Sequence, residues 1–200
     1  MLTNIVLKYL YLYKNITKKM KPKKLPFNFI PISTIGDGSC FLHALLQSCN
    51  KTYNKLDLNH KKLMVRKLRL LMGNYLENSD IYGRLSRGEL EEISNFVMET
   101  KKDYMVKYIK SDSWITYHYI EMISNIFNIN IFIINNGKNT IYNFGDNELL
   151  YNKKRNSIFI NYIDQAHFES LAVRTKDGRK TYFSPKSSVI EITMKNLKCV

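Results

Sequence analysis

A cysteine at the start of an apolar helix is the most reactive group that this sequence offers. Residues 36–46 read Gly-Asp-Gly-Ser-Cys-Phe-Leu-His-Ala-Leu-Leu, so a glycine-flexed turn with one acid, Asp37, delivers Cys40 to an apolar segment. Glycine adopts backbone conformations closed to other residues, which lets main-chain N–H groups point into a common space. Unpaired N–H groups and the dipole at a helix start favour a thiolate. The turn predicts a nucleophilic thiol, and a buried structural cysteine is the competing interpretation.

A histidine far along the chain supplies a candidate base. Residues 157–163 and 166–173 predict two strands joined by a short polar turn. Because strand side chains alternate between faces, His167 and Glu169 share one face of the second strand, and Phe168 points to the other. A cysteine nucleophile needs a base within hydrogen-bond reach and a third group that orients this base. His167 and Glu169 are the candidates, and a structural histidine at a sheet edge is the alternative.

These two segments resemble the OTU (ovarian tumour) family of cysteine proteases. The nucleophile motif of that family runs Gly-Asp-Gly-Asn-Cys, then an aromatic residue or leucine, and continues into a helix. Its late catalytic histidine precedes an aromatic residue and commonly has Asn or Asp two positions on. Residues 113–133, a tryptophan-led helix followed by a strand, are a weaker similarity, so the resemblance covers roughly residues 30–175. It implies a papain-like fold in which the nucleophile helix packs beside the sheet that carries the histidine.

The resemblance also implies a role for each matching residue. Cys40 would be the nucleophile, and His167 would be the general base and later the acid for the leaving amine. Glu169 would orient His167. Asp37 would hold the turn so that main-chain N–H groups, including that of Cys40, form an oxyanion hole.

Two positions depart from the family pattern. Ser39 stands where Asn is usual, which removes an amide side chain beside the nucleophile. Glu169 stands where Asn or Asp is usual, and its extra methylene must be accommodated, so Asn161 and Asp164 are alternative third residues. His43 lies three residues after the cysteine, near the same helix face. A packing or substrate-side role is expected for His43, because one helix holding both nucleophile and base would leave no room for substrate.

The function that the resemblance implies is hydrolysis of isopeptide or peptide bonds at the carboxy terminus of ubiquitin or a ubiquitin-like protein. This would make the chain a thiol-dependent deubiquitinase that acts on ubiquitin conjugates without cofactor or metal. A catalytically impaired OTU-like module that binds ubiquitin is one alternative. The abundance of Asn, Ile, Lys and Tyr indicates an AT-rich genome, which favours a viral or bacterial enzyme acting in a host cytoplasm.

Composition and charge frame these expectations. The 200 residues, 44% hydrophobic and 12% aromatic, suit one domain with a real core. Three cysteines without framework spacing predict free thiols, an intracellular reducing compartment and no zinc site. The net charge of +14 favours non-specific contact with nucleic acid or anionic membrane. A basic nucleic-acid-binding protein is therefore the second functional class, and a monomer is expected.

The apolar periodicity predicts an α+β fold, with helices clustered in the first two-thirds and packed on a small, largely antiparallel sheet. Beyond the nucleophile helix, the predicted helices span residues 57–78, 88–110 and 114–127. Asn59 is a candidate cap of the first, and one of residues 111–113 is the candidate cap of the last. Residues 131–135 and 139–144 predict a hairpin around Asn136-Gly137.

The ends of the chain are expected to differ from its middle. Residues 1–29 predict a basic amphipathic extension, residues 30–185 the catalytic domain, and residues 186–200 a C-terminal strand or tail. The apolar stretch Leu2–Tyr13 precedes most of the nearby lysines, the reverse of a secretory signal, and is shorter than the roughly 20 residues of a membrane helix. A helix docked on its own domain and a helix lying on a membrane surface both remain open.

Overall fold

The computed structural model describes six stretches of the chain: residues 27–78, 102–135, 140–144, 151–164, 166–176 and 178–198. The predicted amphipathic extension lies almost wholly outside the described residues. So do the first part of the predicted helix over 88–110 and the Asn136-Gly137 turn.

Helices dominate the first part of the described chain, and strands dominate the second. The helices are α1 Cys40–Cys49, α2 Lys51–Lys55, α3 Leu58–Asn78, α4 Lys102–Lys110, α5 Tyr117–Phe127 and α6 Ser188–Lys198. The strands are β1 Phe29–Ile32, β2 Ile129–Asn135, β3 Thr140–Phe144, β4 Asn156–Ile163, β5 His167–Thr175, β6 Gly178–Lys180 and β7 Tyr182–Phe183.

The strands form one sheet whose main order is β1-β5-β4-β2-β3, with β6 paired to β5 and β7 to β4. Every pairing among these strands is antiparallel except that between β2 and β4. The predicted α+β class with a largely antiparallel sheet is therefore confirmed. The predicted hairpin is also confirmed, since β2 and β3 pair antiparallel.

The two faces of the sheet are covered by different elements. On β2, Ile131 and Ile133 face the core shared with α1, α3, α4 and α5, whereas Phe132 and Ile134 face a second core. This alternation of buried side chains on both faces explains why the strand reads as a nearly continuous apolar run. The sheet thus lies between two layers, and α1 belongs to the larger one.

The second core corrects the prediction for the C-terminal segment. Residues 188–198 are the helix α6, not a strand or tail, and its residues Val189 and Ile190 are buried against the sheet. Phe159 and Leu171 of the sheet would otherwise leave their face uncovered. Helical spacing of the apolar residues lets one short helix cover that face.

Two predicted helix caps are also wrong. Asp57 caps α3 in place of Asn59, because its Oδ1 accepts a hydrogen bond of 2.9 Å from the His60 N–H. The N-cap residue of helix α5 is Thr116, and not one of residues 111–113 as predicted. The Ser111 hydroxyl donates to the Tyr108 carbonyl at 2.7 Å and so stabilises the loop after α4. Among the described residues, no helix is long and apolar enough to cross a bilayer.

Candidate active site

Asp37 closes the turn that leads into α1. Its Oδ1 accepts a hydrogen bond of 2.8 Å from the Ser39 N–H, and its carbonyl accepts one of 3.1 Å from the Cys40 N–H. Asp37 therefore holds the turn from its side chain and its main chain together, as predicted. The Cys40 N–H, which was predicted to be an oxyanion-hole donor, bonds here to the Asp37 carbonyl, because a tight turn of four residues joins its fourth N–H to its first carbonyl.

Arg69 of α3 also stabilises this turn by hydrogen bonds, and the sequence analysis did not predict this role. The guanidinium is fully buried and donates to Ser39 Oγ at 2.8 Å and to the Gly38 carbonyl at 3.0 Å. It also donates to the carbonyls of Ser113 at 2.7 Å and Ile109 at 3.2 Å. Ser39, the departure from the family motif, thus supplies the hydroxyl oxygen that accepts from Arg69.

A signal for Arg69 was present in the sequence. Val65, Arg69, Met72 and Leu76 are all buried and recur at helical spacing on one face of α3. An arginine inside such an apolar stripe is almost never buried without partners. Burial lowers the pKa of the Arg69 guanidinium, and the charges of Asp112 and Asp37 oppose that change.

Gly38 lies where the turn meets the loop after α4. A β carbon at this position would stand 1.8 Å from the carbonyl oxygen of Asp112, a distance that no packed structure allows. It would also lie 3.7 Å from the Trp114 ring, whose side chain is 55% exposed. The glycine is needed here for close approach of two backbones. This contact and the hydrogen bonds of Arg69 to Gly38 and Ser113 hold the turn against the loop of residues 111–114.

His43 is a buried structural residue. Its Nε2 lies 3.2 Å from Asp37 Oδ2, and its Nδ1 lies 2.6 Å from the Tyr53 hydroxyl. Because a carboxylate only accepts, Nε2–H donates to Asp37 and Nδ1 accepts from Tyr53. Burial lowers the pKa of His43, which favours this neutral ring. Both ring nitrogens are therefore occupied, in agreement with the expected packing role.

Cys40 is the first residue of α1 and is 5% exposed. The helix packs on β5, where the Phe41 ring meets the Phe168 ring edge to face at a centroid distance of 5.3 Å. Hydrogen bonding from the main-chain N–H of Phe168 lowers the pKa of the Cys40 thiol. The fold thus brings the predicted nucleophile to the strand position next to His167.

Opposing effects act on the thiol. Burial raises the pKa of Cys40 above its ordinary value, and the negative charge of Asp37 adds to this increase. Hydrogen bonding from the main-chain N–H groups of Phe168, Phe41 and Cys40 itself lowers the pKa but does not cancel the increase. Desolvation by burial therefore opposes the thiolate that the helix start was predicted to favour. A cationic partner would favour the thiolate further.

His167 is half-buried at the first position of β5. Its Nε2 lies 3.3 Å from the hydroxyl oxygen of Thr34, a residue that sequence reasoning did not consider. Glu169 is two positions along, and within the described part of the chain no hydrogen bond joins it to His167. Of the two alternative third residues, Asn161 lies opposite Glu169 in the sheet register, and its buried Oδ1 has no hydrogen-bond partner among the described residues. Asp164 is exposed in a turn.

The other cysteine that the structure describes lies at the far end of α1. Burial raises the pKa of Cys49 to about 11, and its thiol donates to the Leu45 carbonyl. Among the described residues, no group of three His, Cys, Asp or Glu side chains could hold a metal ion.

The model of the family described as OTU-like cysteine protease matches residues 35–168. No curated protein matches the chain. Among solved structures, an ovarian tumour (OTU) domain in complex with ubiquitin is similar, with a TM-score of 0.57 and 19% identity over 84% of this chain and 82% of that chain.

Two further solved structures are more distant in shape. The Hazara virus OTU bound to ubiquitin has a TM-score of 0.48 and 19% identity, covering 74% of this chain and 83% of that chain. An OTU deubiquitinase from Wolbachia pipientis wMel has a TM-score of 0.45 and 17% identity, covering 85% of this chain and 97% of that chain.

Proposed function

Because the chain belongs to the family of OTU-like cysteine proteases, we propose that it is a deubiquitinase whose nucleophile is Cys40 and whose general base is His167. One observation carries this proposal. The ring of Phe41, which directly follows Cys40 at the start of α1, packs at a centroid distance of 5.3 Å on the ring of Phe168, which directly follows His167 in β5.

The reaction begins with loss of the Cys40 proton. His167 takes this proton, and the resulting imidazolium stabilises the thiolate that burial alone disfavours. The sulfur attacks the carbonyl carbon of the scissile amide, and the carbonyl oxygen gains a negative charge. His167 then donates the proton to the leaving amine, which leaves a thioester on Cys40. Water hydrolyses the thioester, with His167 again as the base, and the free thiol returns.

Asp37 keeps the turn in the shape that this reaction needs. Its carboxylate holds the Ser39 N–H and the ring of His43, and Arg69 holds the other side of the turn. The main-chain N–H groups at the start of α1 supply the local positive field for the developing oxyanion. Rigid support of this kind is the usual way in which an active site keeps its donors aimed at the transition state.

Ubiquitin is the substrate that we propose. The solved OTU domain with a TM-score of 0.57 to this chain is a complex with ubiquitin. The scissile bond would be the amide after the carboxy-terminal residue of ubiquitin, on a lysine side chain or a main-chain amine. Ubiquitin is thus the donor of the acyl group, and a conjugated protein is the leaving group.

The test is turnover of ubiquitin that carries a fluorogenic amide at its carboxy terminus. We expect Cys40→Ala and His167→Ala each to lower kcat/KM by at least about 1000-fold, because nucleophile and base act as a unit. Cys49→Ala and His60→Ala are the matched controls. His60 is exposed on α3, bonded to Asp57, so both controls should keep activity within about twofold of the parent. Turnover that survives Cys40→Ala in a folded protein would refute the assignment.

A further inference from the structure

Thr34 is a polar residue beside the ring of His167. It follows β1, its hydroxyl oxygen lies 3.3 Å from His167 Nε2, and the same hydroxyl donates to the Phe168 carbonyl. Thr34 is partly buried. One side chain therefore contacts both the predicted base and the main chain of the residue next to it.

The register of the sheet explains why Thr34 is found there. In the antiparallel pair of β1 and β5, Ile32 lies opposite Ser170. Thr34 lies two residues beyond the end of β1, and the antiparallel direction of this pairing leads the chain from Ser170 toward Phe168. The pairing of β1 with β5 thus brings Thr34 near the start of β5, where its hydroxyl reaches the Phe168 carbonyl.

The hydrogen-bond roles at Thr34 follow from a count of protons. A threonine hydroxyl has one proton and two lone pairs. The proton is donated to the Phe168 carbonyl, so the oxygen can only accept from the imidazole. Nε2 of His167 therefore carries the hydrogen in this contact. Nδ1 is left with its lone pair, and it is the nitrogen that can take a proton from Cys40.

We propose that Thr34 is the positioning residue of the base: it accepts the Nε2–H of His167 and so fixes the ring and the tautomer for reaction with Cys40. In this assignment Thr34 takes the place that the family pattern gives to Glu169. The inference rests on the proposed function only for the roles of Cys40 and His167. A neutral hydroxyl stabilises the imidazolium less than a carboxylate does, so Thr34 orients the ring more than it stabilises charge.

The experiment measures the reactivity of Cys40 without any substrate. Iodoacetamide modifies a thiolate, and mass spectrometry of the Cys40 peptide gives its alkylation rate at each pH. The variants are Thr34→Val, which removes the hydroxyl at constant volume, Thr34→Ser, which keeps it, and Glu169→Gln. Asp37 and Arg69 are the other charged groups that act on the Cys40 thiol, and both are unchanged in every variant. Turnover of the fluorogenic ubiquitin amide is measured in parallel.

We expect Thr34→Val to slow alkylation near pH 7 by about 10- to 100-fold, to move its rise to higher pH, and to lower kcat by a similar factor. Thr34→Ser should restore both, and Glu169→Gln should leave the pH profile unchanged. Ring-nitrogen NMR shifts of His167 should report an Nε2–H tautomer in the parent and a mixture in Thr34→Val. A thermal unfolding curve checks that Thr34→Val is folded.

Other results overturn the inference. A parental alkylation profile in folded Thr34→Val contradicts it, as does a loss of thiolate in Glu169→Gln. The two proposals fail separately. If ubiquitin is not the substrate, the alkylation differences persist without turnover. If Thr34 does not position His167, turnover of ubiquitin persists in Thr34→Val.

Discussion

Gly38 leaves no room for a side chain in the nucleophile turn, because its α carbon faces the carbonyl oxygen of Asp112. A methyl group there would approach that oxygen to 1.8 Å, so Gly38→Ala must shift the turn. We expect a loss of about 100-fold in kcat, since small displacements of a nucleophile have large effects on rate. Gly36→Ala is the matched control, because a β carbon at Gly36 would meet nothing within 4 Å. Equal turnover by the two variants would contradict this view of the turn.

The two described cysteines should differ in reactivity although one helix carries both. Burial raises the pKa of Cys49 to about 11, so its thiolate is scarce near neutral pH. Burial and Asp37 also raise the pKa of Cys40, and His167 is the partner proposed to offset that increase. In His167→Ala, alkylation of Cys40 should therefore begin only at alkaline pH and be at least about tenfold slower at pH 7. A parental rate in that variant, with the His60→Ala control also unchanged, would mean that His167 does not act on the thiol.

The site residues differ in how well their positions in the site could be predicted from the sequence. Cys40 and Asp37 lie in one short motif, and alternation along β5 sets Glu169 on the same strand face as His167, so local reasoning is sufficient for these positions. Thr34 could not be predicted, because its contact with His167 depends on the long-range pairing of β1 with β5. Register between distant strands is not encoded in local spacing.

At the scale of elements, α3 is the support of the nucleophile turn. Arg69→Met keeps the volume but removes the donors to the carbonyls of Gly38, Ile109 and Ser113. Each buried acceptor left without a donor costs about 1–3 kcal/mol, so the loss of donors to three carbonyls should lower the free energy of unfolding by at least about 3 kcal/mol. Urea unfolding measures this change, and turnover should fall with it because the turn loses its anchor.

Arg66→Met is the control for that measurement. Arg66 lies on the exposed side of the same helix, so its replacement should change stability by less than about 1 kcal/mol. If Arg69→Met were as stable and as active as Arg66→Met, the buried guanidinium would have no supporting role.

The C-terminal helix α6 should contribute to stability and not to chemistry. Ile190 is 1% exposed in the second core, whereas Ile192 on the same helix is 39% exposed. We expect Ile190→Ala to lower the free energy of unfolding by about 2–5 kcal/mol and Ile192→Ala by less than about 1 kcal/mol. Turnover at a temperature where both variants are folded should match the parent. A loss of turnover in folded Ile190→Ala would show that the second core reaches the active site.

The helices and strands that could be predicted are those whose sequence pattern is contained in a short stretch of the chain. The hairpin of β2 and β3 and the helices α3 and α5 follow from periodicity over short windows, and their positions match within a few residues. Helix α6 was missed even though its apolar residues recur at helical spacing, and a helix this short has little stability by itself. Its helix is stabilised by the sheet face that Phe159 and Leu171 expose to it.

At the scale of the whole molecule, the sheet separates two hydrophobic cores that have different roles. The larger core holds α1, α3, α4 and α5 against the sheet and fixes the nucleophile turn, and the second core closes the opposite face with α6. Strand β5 belongs to both, since Phe168 packs toward α1 and Leu171 toward α6. The α+β class could be predicted from the order of helical and strand patterns. The division into two cores could not, because it depends on which distant segments cover each face.

Covalent capture by a ubiquitin probe tests most directly whether Cys40 is the nucleophile. The purified chain is mixed with ubiquitin that carries a thiol-reactive electrophile at its carboxy terminus, and the adduct is located by peptide mass spectrometry. We expect one adduct, on Cys40, that forms at the parental rate in Cys49→Ala, far more slowly in His167→Ala and not at all in Cys40→Ala. A folded parent protein that forms no adduct, or an adduct that persists in Cys40→Ala, would contradict the assignment of Cys40 as the nucleophile.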